Sequence, residues 1–315
     1  MERGARQILG RLAQVPGVAY VLALLVVVFS AVDLRFLSAL NLTNIGAQGT
    51  ILLMLALPMT LVILTEGLDI SMGAVLTLCA VVLAWVLAHG GGIGLALAAS
   101  LATGLVFGLA NGTLVSYVGM PPFVATLGTL GMAQGLALAV TDGQSIVGIS
   151  EPLAFMRASV FGVPLVLAIA ALAYLLVHAL LYRTRFGNYI FAIGGNREAL
   201  VLSGVRARAW HAGVYAFAGL MVGMTGLLLV ARTNSGHPTA AIGMEFDAIA
   251  AVAVGGTSFE RGEGWLAGTL LGVLAVGVMR NGLNVAGVPS SLQVVAIGLL
   301  VIATLLIDSL KRKRA

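Results

Sequence analysis

Charge is scarce in this sequence. Of 315 residues, 9% are Asp, Glu, Lys or Arg and 60% are hydrophobic, whereas soluble globular proteins carry about 25% charged residues. No Asp, Glu, Lys or Arg occurs between Ile70 and Thr141, a stretch long enough for three helical spans at about 20 residues each. Water is therefore excluded as the main solvent. The lysines are Lys311 and Lys313, both in the tail. A GxxxxGK[ST] phosphate loop is thus absent, and if ATP drives this chain another polypeptide must hold it. The one cysteine, Cys79, lies in an apolar run, which excludes a disulfide or a thiolate metal site within one chain. His89, His178, His211 and His237 share no ligand spacing, and no nucleophile, base and orienting group can be assembled. No metal, no cofactor and no catalytic residue is expected.

What is present is an all-α pattern. An open sheet cannot satisfy its backbone in lipid, and no barrel-like alternation occurs. Ten hydrophobic runs are read as spans: 15–32, 47–65, 69–88, 93–117, 123–141, 162–181, 210–230, 244–257, 265–283 and 289–307. The eighth is short, and the breaks at Gly67 and Gly255-Gly256 blur the ends of the second, third and eighth. The run from Val15 to Val32 follows a basic start as a signal peptide would, but with further spans behind it an uncleaved first span is expected. The chain reads as one membrane domain over 1–315, with a basic segment at 182–209 and a basic tail at 310–315.

The net charge of +5 could suggest nucleic acid in a soluble chain. Here the basic residues sit between spans, and the positive-inside rule accounts for them better. With the N-terminus (Arg3, Arg6, Arg11) in the cytoplasm and ten spans, the segment with Arg183, Arg185, Arg197, Arg206 and Arg208 falls inside. So do Arg261 and the tail residues Lys311, Arg312, Lys313 and Arg314. Arg35, Arg157, Arg232 and Arg280 fall outside or near the outer boundary. Both termini are expected to be cytoplasmic.

Two short matches suggest an internal repeat. EGLDISMGAV opens the third span and GMEFDAIAAV the eighth; Asn111-Gly112 followed by VGMPP in the fourth corresponds to Asn281-Gly282 followed by AGVPS in the ninth. Each pair is five spans apart, so its members point in opposite directions, the arrangement of a 5+5 inverted repeat.

The segment Tyr182–Arg208 is the longest soluble-looking stretch. Gly194-Gly195 reads as a turn, Asn196 as the N-cap of a short helix with Glu198 in its first turn, and Gly204 as a left-handed stop. From pattern alone it is either a basic anchor on the cytoplasmic face or a docking element. Among polar residues near spans, Asp69 with neighbours Glu66 and Ser71 either caps the helix that follows or touches solute, and Asp247 beside Glu245 has the same two readings. Asn111, Thr126 and Gln134, inside apolar runs, either bond between helices or line a path. Gly104, Gly108 and Gly112, four apart, read as a close packing face. Pro121-Pro122-Phe123 breaks one helix and starts the next.

Four stretches resemble the membrane permease subunit of ABC importers for monosaccharides, the ribose, xylose, arabinose and galactoside type. They are TEGLDISMGA (65–74), VGMPPFVATLGTLGMAQGLALAVTDGQSI (118–146), RTRFGNYIFAIGGNREALVLSGV (183–205) and MEFDAIAAVAVGGTSF (244–259). The resemblance implies an ATPase-coupling role for Arg185, Phe186, Gly187, Gly194, Gly195, Asn196, Arg197, Glu198, Ala199 and Gly204. It leaves Glu66, Asp69, Ser71, Asn111, Phe123, Thr126, Gln134 and Asp247 as candidates for the translocation pathway. It further implies an ATP-binding subunit, a periplasmic solute-binding protein, a second permease copy as a homodimer, and a place in the lipid bilayer of the bacterial inner membrane. Two departures stand out: Glu66-Gly67 where the family commonly has a glycine pair, and Glu260-Arg261-Gly262-Glu263-Gly264 where it usually runs small and glycine-rich with one basic residue. The rival functions are an ion-gradient transporter, which would want intramembrane carboxylates, and a related permease for nucleosides or branched-chain amino acids.

Overall fold

A computed structural model describes residues 16–149, 151–160, 162–259 and 262–312. Among them are eleven α-helices: α1 (Gly17–Val32), α2 (Ala39–Leu64), α3 (Met72–Ala88), α4 (Ile93–Thr113), α5 (Pro122–Thr141), α6 (Leu165–Arg183), α7 (Arg185–Leu202), α8 (Ala207–Thr233), α9 (Met244–Val254), α10 (Leu266–Val285) and α11 (Ser290–Arg312). A π-helical turn, Leu114–Val118, extends α4. A two-stranded antiparallel ribbon, β1 (Ser159–Val160) with β2 (Val163–Pro164), precedes α6. The all-helical expectation thus holds apart from this ribbon, and the sixth helix begins at Leu165 rather than at 162. Six of the helices are long and apolar enough to cross a membrane: α2, α4 with its π turn, α5, α6, α8 and α10. The chain is a multi-pass membrane protein. Gly17–Val32, Met72–Ala88 and Ser290–Thr304 are shorter apolar helices. The basic groups Arg3, Arg6, Arg11, Arg261, Lys313 and Arg314 used for orientation lie outside the described residues.

The helices form two compact units. The first gathers the described parts of Met1–Gly49, Ala250–Gly256 and Trp265–Ala315. In it Phe29 of α1 packs on Phe36, ring centroids 5.8 Å apart, and Val18 meets Val254 and Ala275. Asn41 of α2 and Asn281 of α10 exchange two amide hydrogen bonds, at 2.8 and 3.0 Å. Gly272 of α10 lies so close to α9 that a Cβ on it would fall on the Ala251 carbonyl.

The second unit holds Thr50–Ile249 and Thr257–Gly264. Its centre is α3 with the later part of α2, where Thr50 to Thr65 are buried without a break. Such uniform burial follows from sequence: these runs are apolar all round, with no polar stripe to face outward. The glycines of α4 do form a packing face. A Cβ on Gly104 or Gly108 would strike the α8 backbone at Gly219 or Tyr215, and one on Gly112 would come within 2.7 Å of the Ala212 carbonyl. Ser100 Oγ donates to the Gly223 carbonyl across the same interface (2.8 Å). Removing side chains lets the two backbones approach, which replaces the hydrophobic drive that lipid does not supply.

The expected span at 244–257 is reorganised. Helix α9 has 11 residues, about 16 Å at 1.5 Å per residue, which is too short to cross a core about 30 Å thick. The chain before it, 234–243, is largely non-helical and lies along α3. Gly236 sits by Ala84, the Ala241 N–H donates to Thr77 Oγ1 (3.1 Å), and Glu245 reaches Gly73. Irregular backbone is stable at membrane depth only when other protein groups satisfy it. Here Thr77 and an isolated bridge between Ile146 and Gly236 help to do so.

Candidate functional site

Two features of the second unit stand out: a buried polar knot at the start of α3, and the solvent-facing helix α7.

Helix α2 ends in a Schellman-type stop. The Gly67 N–H bonds to the Val62 carbonyl (3.0 Å) and Glu66 N–H to that of Ile63 (2.9 Å), with Glu66 itself left-handed at φ +59°. That position normally takes glycine because a Cβ is costly there. Glu66 is exposed, while Gly67 is buried under Tyr215, whose hydroxyl would lie 2.6 Å from a Cβ at Gly67.

Asp69 follows, buried. Its Oδ1 accepts from the Ser71 N–H (2.9 Å) and from Ser71 Oγ (2.5 Å), which sets the turn into α3. Its Oδ2 accepts from Asn111 Nδ2 on α4 (3.3 Å). The NH2 side of Asn111 is the donor and faces this oxygen. That NH2 also donates to Ser71 Oγ (3.0 Å), and the Asn111 carbonyl oxygen accepts from Thr129 Oγ1 on α5 (2.7 Å). Thr126, one turn earlier, accepts weakly from the Ile70 N–H (3.4 Å) and donates to the Pro122 carbonyl (2.9 Å). Three elements are thus pinned at one point, with Asp69, Ser71, Asn111, Thr126 and Thr129 each partnered.

The sequence candidates Asp69, Ser71, Asn111 and Thr126 therefore come together. Thr129 was missed; it lies one turn from Thr126, on the same helical face. The other candidates stand apart from the knot. Phe123 is 52% exposed, Gln134 is half-buried and Glu66 points outward. Asp247 is buried in the first turn of α9 beside Glu245, whose carboxylate accepts from the Gly243 N–H (3.1 Å) and lies against Gly73. A Cβ at Gly73 would collide with that carboxylate.

Helix α7 differs from the expected loop with one short helix. Helix also occupies Arg185–Gly195, and the rod breaks at Asn196 (φ −158°, ψ 87°). Gly194-Gly195 is accordingly the end of a helix and not a free turn. The reading of Asn196 holds: its Oδ1 accepts from the Ala199 N–H (2.8 Å), an N-cap bond. Gly204 is left-handed (φ +82°), with Val205 N–H bonded back to the Leu200 carbonyl. The inner face is aromatic. Phe186 and Tyr189 pack on Trp210 of α8, ring centroids 6.0 and 4.7 Å apart, and Ile193, Leu200 and Ala207 form the buried cluster below. Gly187 fits under the Leu181 carbonyl, where a Cβ would not. Arg185, Gly195, Arg197, Glu198 and Ala199 remain exposed. The result is a rigid, charged shelf, firmly seated on its apolar side.

Comparison with known proteins decides what this architecture belongs to. Residues 41–305 match the family model described as branched-chain amino acid transport system / permease component. This chain belongs to that permease family. The permease is 39% identical over 293 residues to the ribose import permease protein RbsC of Bacillus subtilis, covering 92% of this chain and 91% of that one. It is 35% identical to the ribose import permease protein of Escherichia coli K12, over 92% of each chain. It is 33% identical to that organism's D-allose transport system permease protein AlsC, over 94% of this chain and 92% of the other. No solved structure matches. The resemblance to monosaccharide ABC importer permeases read from four stretches thus extends along nearly the whole chain, and the permease is a transport subunit, not an enzyme.

Proposed function

We propose that the permease carries a monosaccharide inward across the bacterial inner membrane as the membrane subunit of an ATP-binding-cassette importer. The observation that carries this reading is α7: a capped, charged shelf exposed on one side and locked to α8 on the other, as a docking element for a separate ATPase requires. Two copies form the pathway, a periplasmic binding protein delivers the sugar, and nucleotide binding on the partner rocks the two copies between outward and inward openings. The sugar class follows the ribose and allose named for the relatives.

In this reading the chain crosses the bilayer ten times with both termini cytoplasmic. The crossings are α1 to α6, α8, the broken segment 234–254, α10 and α11. The halves relate as a 5+5 inverted repeat, supported by the sequence match between the start of α3 and that of α9. The knot of Asp69, Ser71, Asn111 and Thr126 fixes α3 from behind. Glu66, Phe123 and Gln134, which keep exposed surface, are the better placed to meet solute, and Asp247 orders the start of α9.

The test is co-purification in mild detergent with the ATPase encoded beside it, followed by ATP hydrolysis with and without sugar-loaded binding protein. Stimulated hydrolysis is expected, and Glu198→Lys should abolish the stimulation while leaving the protein folded. A stable permease that recruits no ATPase and moves solute under an ion gradient would replace this reading with a secondary transporter.

A further inference from the structure

Helix α6 carries an outer face that neither the knot nor the charged shelf accounts for. Its buried residues are Ala170, Ala173, Val177 and Leu181. Spaced three and four apart, they form one narrow stripe that seats the helix. Leu172, Leu176, Ala179 and Arg183 have the same spacing, face away from that stripe, and are all exposed. Beside them runs a column of stacked rings. Ring centroids are 6.0 Å apart between Tyr174 and His178, 4.7 Å between His178 and Tyr182, and 6.3 Å between Tyr182 and Phe191 of α7. His178 and Tyr182 are exposed too. Small Ala179, between the Tyr182 ring and Leu176, leaves a shallow furrow that leads up to Arg183.

We propose that this furrow binds one acidic phospholipid of the surrounding bilayer, with its phosphate on Arg183 and an acyl chain laid over Ala179 and Leu176. Three observations select that occupant. The first is charge: no Asp or Glu occurs between Glu151 and Glu198, and Arg185 stands exposed two residues beyond Arg183. A phosphate is the anion a guanidinium fork fits. The second is length. Helix α6 has 19 residues, about 28 Å at 1.5 Å per residue, so Arg183 lies at one edge of a core about 30 Å thick. Leu176 and Leu172 then lie about 10 and 16 Å deeper, within the reach of one lipid chain. The third is His178, an ionisable ring on the outward side of a span, where such groups are rare. Among the described residues no protein hydrogen bond holds its nitrogens. In the furrow it meets the glycerol and ester groups, with Tyr182 above it at the level where tyrosines collect in membranes. The lipid thereby completes the seat of a helix that the protein itself holds by a single stripe.

The proposal uses only that α6 crosses the bilayer, so a permease without stimulated ATP hydrolysis would sink the importer reading and leave this one standing. Native mass spectrometry of the purified full chain, titrated with phosphatidylglycerol and separately with phosphatidylcholine of the same chains, tests it. Phosphatidylglycerol should bind about tenfold tighter, the scale of a hydrogen bond to a charged group, and Arg183→Gln should erase the difference. Arg197→Gln makes the same charge change beyond the break in α7 and should bind as wild type does. Equal affinity for the two lipids overturns the proposal, as does a preference that survives Arg183→Gln. An equal loss in Arg197→Gln also overturns it, since overall charge and not a site would then attract the lipid. Leu176→Cys, oxidised in native membranes, checks the other possible occupant, a second copy; Cys79 is buried and leaves the reading clean. No disulfide between copies is expected, and an efficient one would give this face to the partner and overturn the proposal.

Discussion

Asn111-Gly112 and Asn281-Gly282 look alike in sequence and are used differently. Asn111 joins a carboxylate, two hydroxyls and three elements in a closed network, and Gly112 lies on unyielding α8 backbone. Asn281 pairs with one equal, Asn41, and Gly282 lies under the ring of Phe29. The acidic pairs diverge as well: Glu66 is exposed on a left-handed backbone, whereas Glu245 is buried and hydrogen-bonded. Like motifs in two halves of a chain thus carry unequal energetic weight, because Asn111 ties three elements together while Asn281 bonds a single equal.

The sharpest way to break this comparison is Asn111→Leu. It leaves Asp69 Oδ2 without its Asn111 partner, while the Thr129 hydroxyl keeps its bond to the Thr126 carbonyl (3.1 Å); at about 1–3 kcal/mol for a buried group left unsatisfied it should lower thermal stability in detergent and depress transport. Gly112→Ala comes next. Its Cβ would press on the Ala212 backbone, at about 1–3 kcal/mol of overpacking, and Gly282→Ala, whose Cβ would fall on the base of the buried Phe29 ring, should cost about as much in the same melting assay. Glu66→Gly runs the other way: relieving the left-handed backbone should stabilise by about 1 kcal/mol, and lost transport at raised stability would mark the Glu66 carboxylate as a functional group. Asn281→Leu has the smallest effect, about 0.6 kcal/mol for a hydrogen bond between membrane helices. The double change Asn41→Leu with Asn281→Leu should cost more than Asn281→Leu alone, since Asn41 Nδ2 also donates to the Phe36 carbonyl (2.8 Å). Equal losses in Asn111→Leu and Asn281→Leu would erase the distinction.

Much of the helical layout was readable because each long apolar run has one stable form in lipid. Asn196 and Gly204 were readable because caps are local chemistry. The turn-rich segment 234–243 already falls between two spans in the sequence, but its seat along α3 was not readable, since its partner Thr77 lies some 160 residues away in sequence. Thr129 was overlooked because threonine in an apolar helix carries no signal until its partner is known. The extra helix Arg185–Gly195 was hidden by glycines that read as turns, and its aromatic contacts with Trp210 override that weak propensity.

By itself the sequence determined the solvent, the helical class, the charged segment with its cap and stop, and the kinship with sugar permeases. These rest on composition and on interactions within a few residues, which no distant partner can reverse. Tertiary structure alone decided that Asp69, Asn111 and Thr129 meet, that Glu245 fills the space left by Gly73, and that Gly194 touches Leu64 and Gly262. Each is an encounter between segments far apart in the chain, and what selects it is the shape and hydrogen-bonding need of the group on the other side.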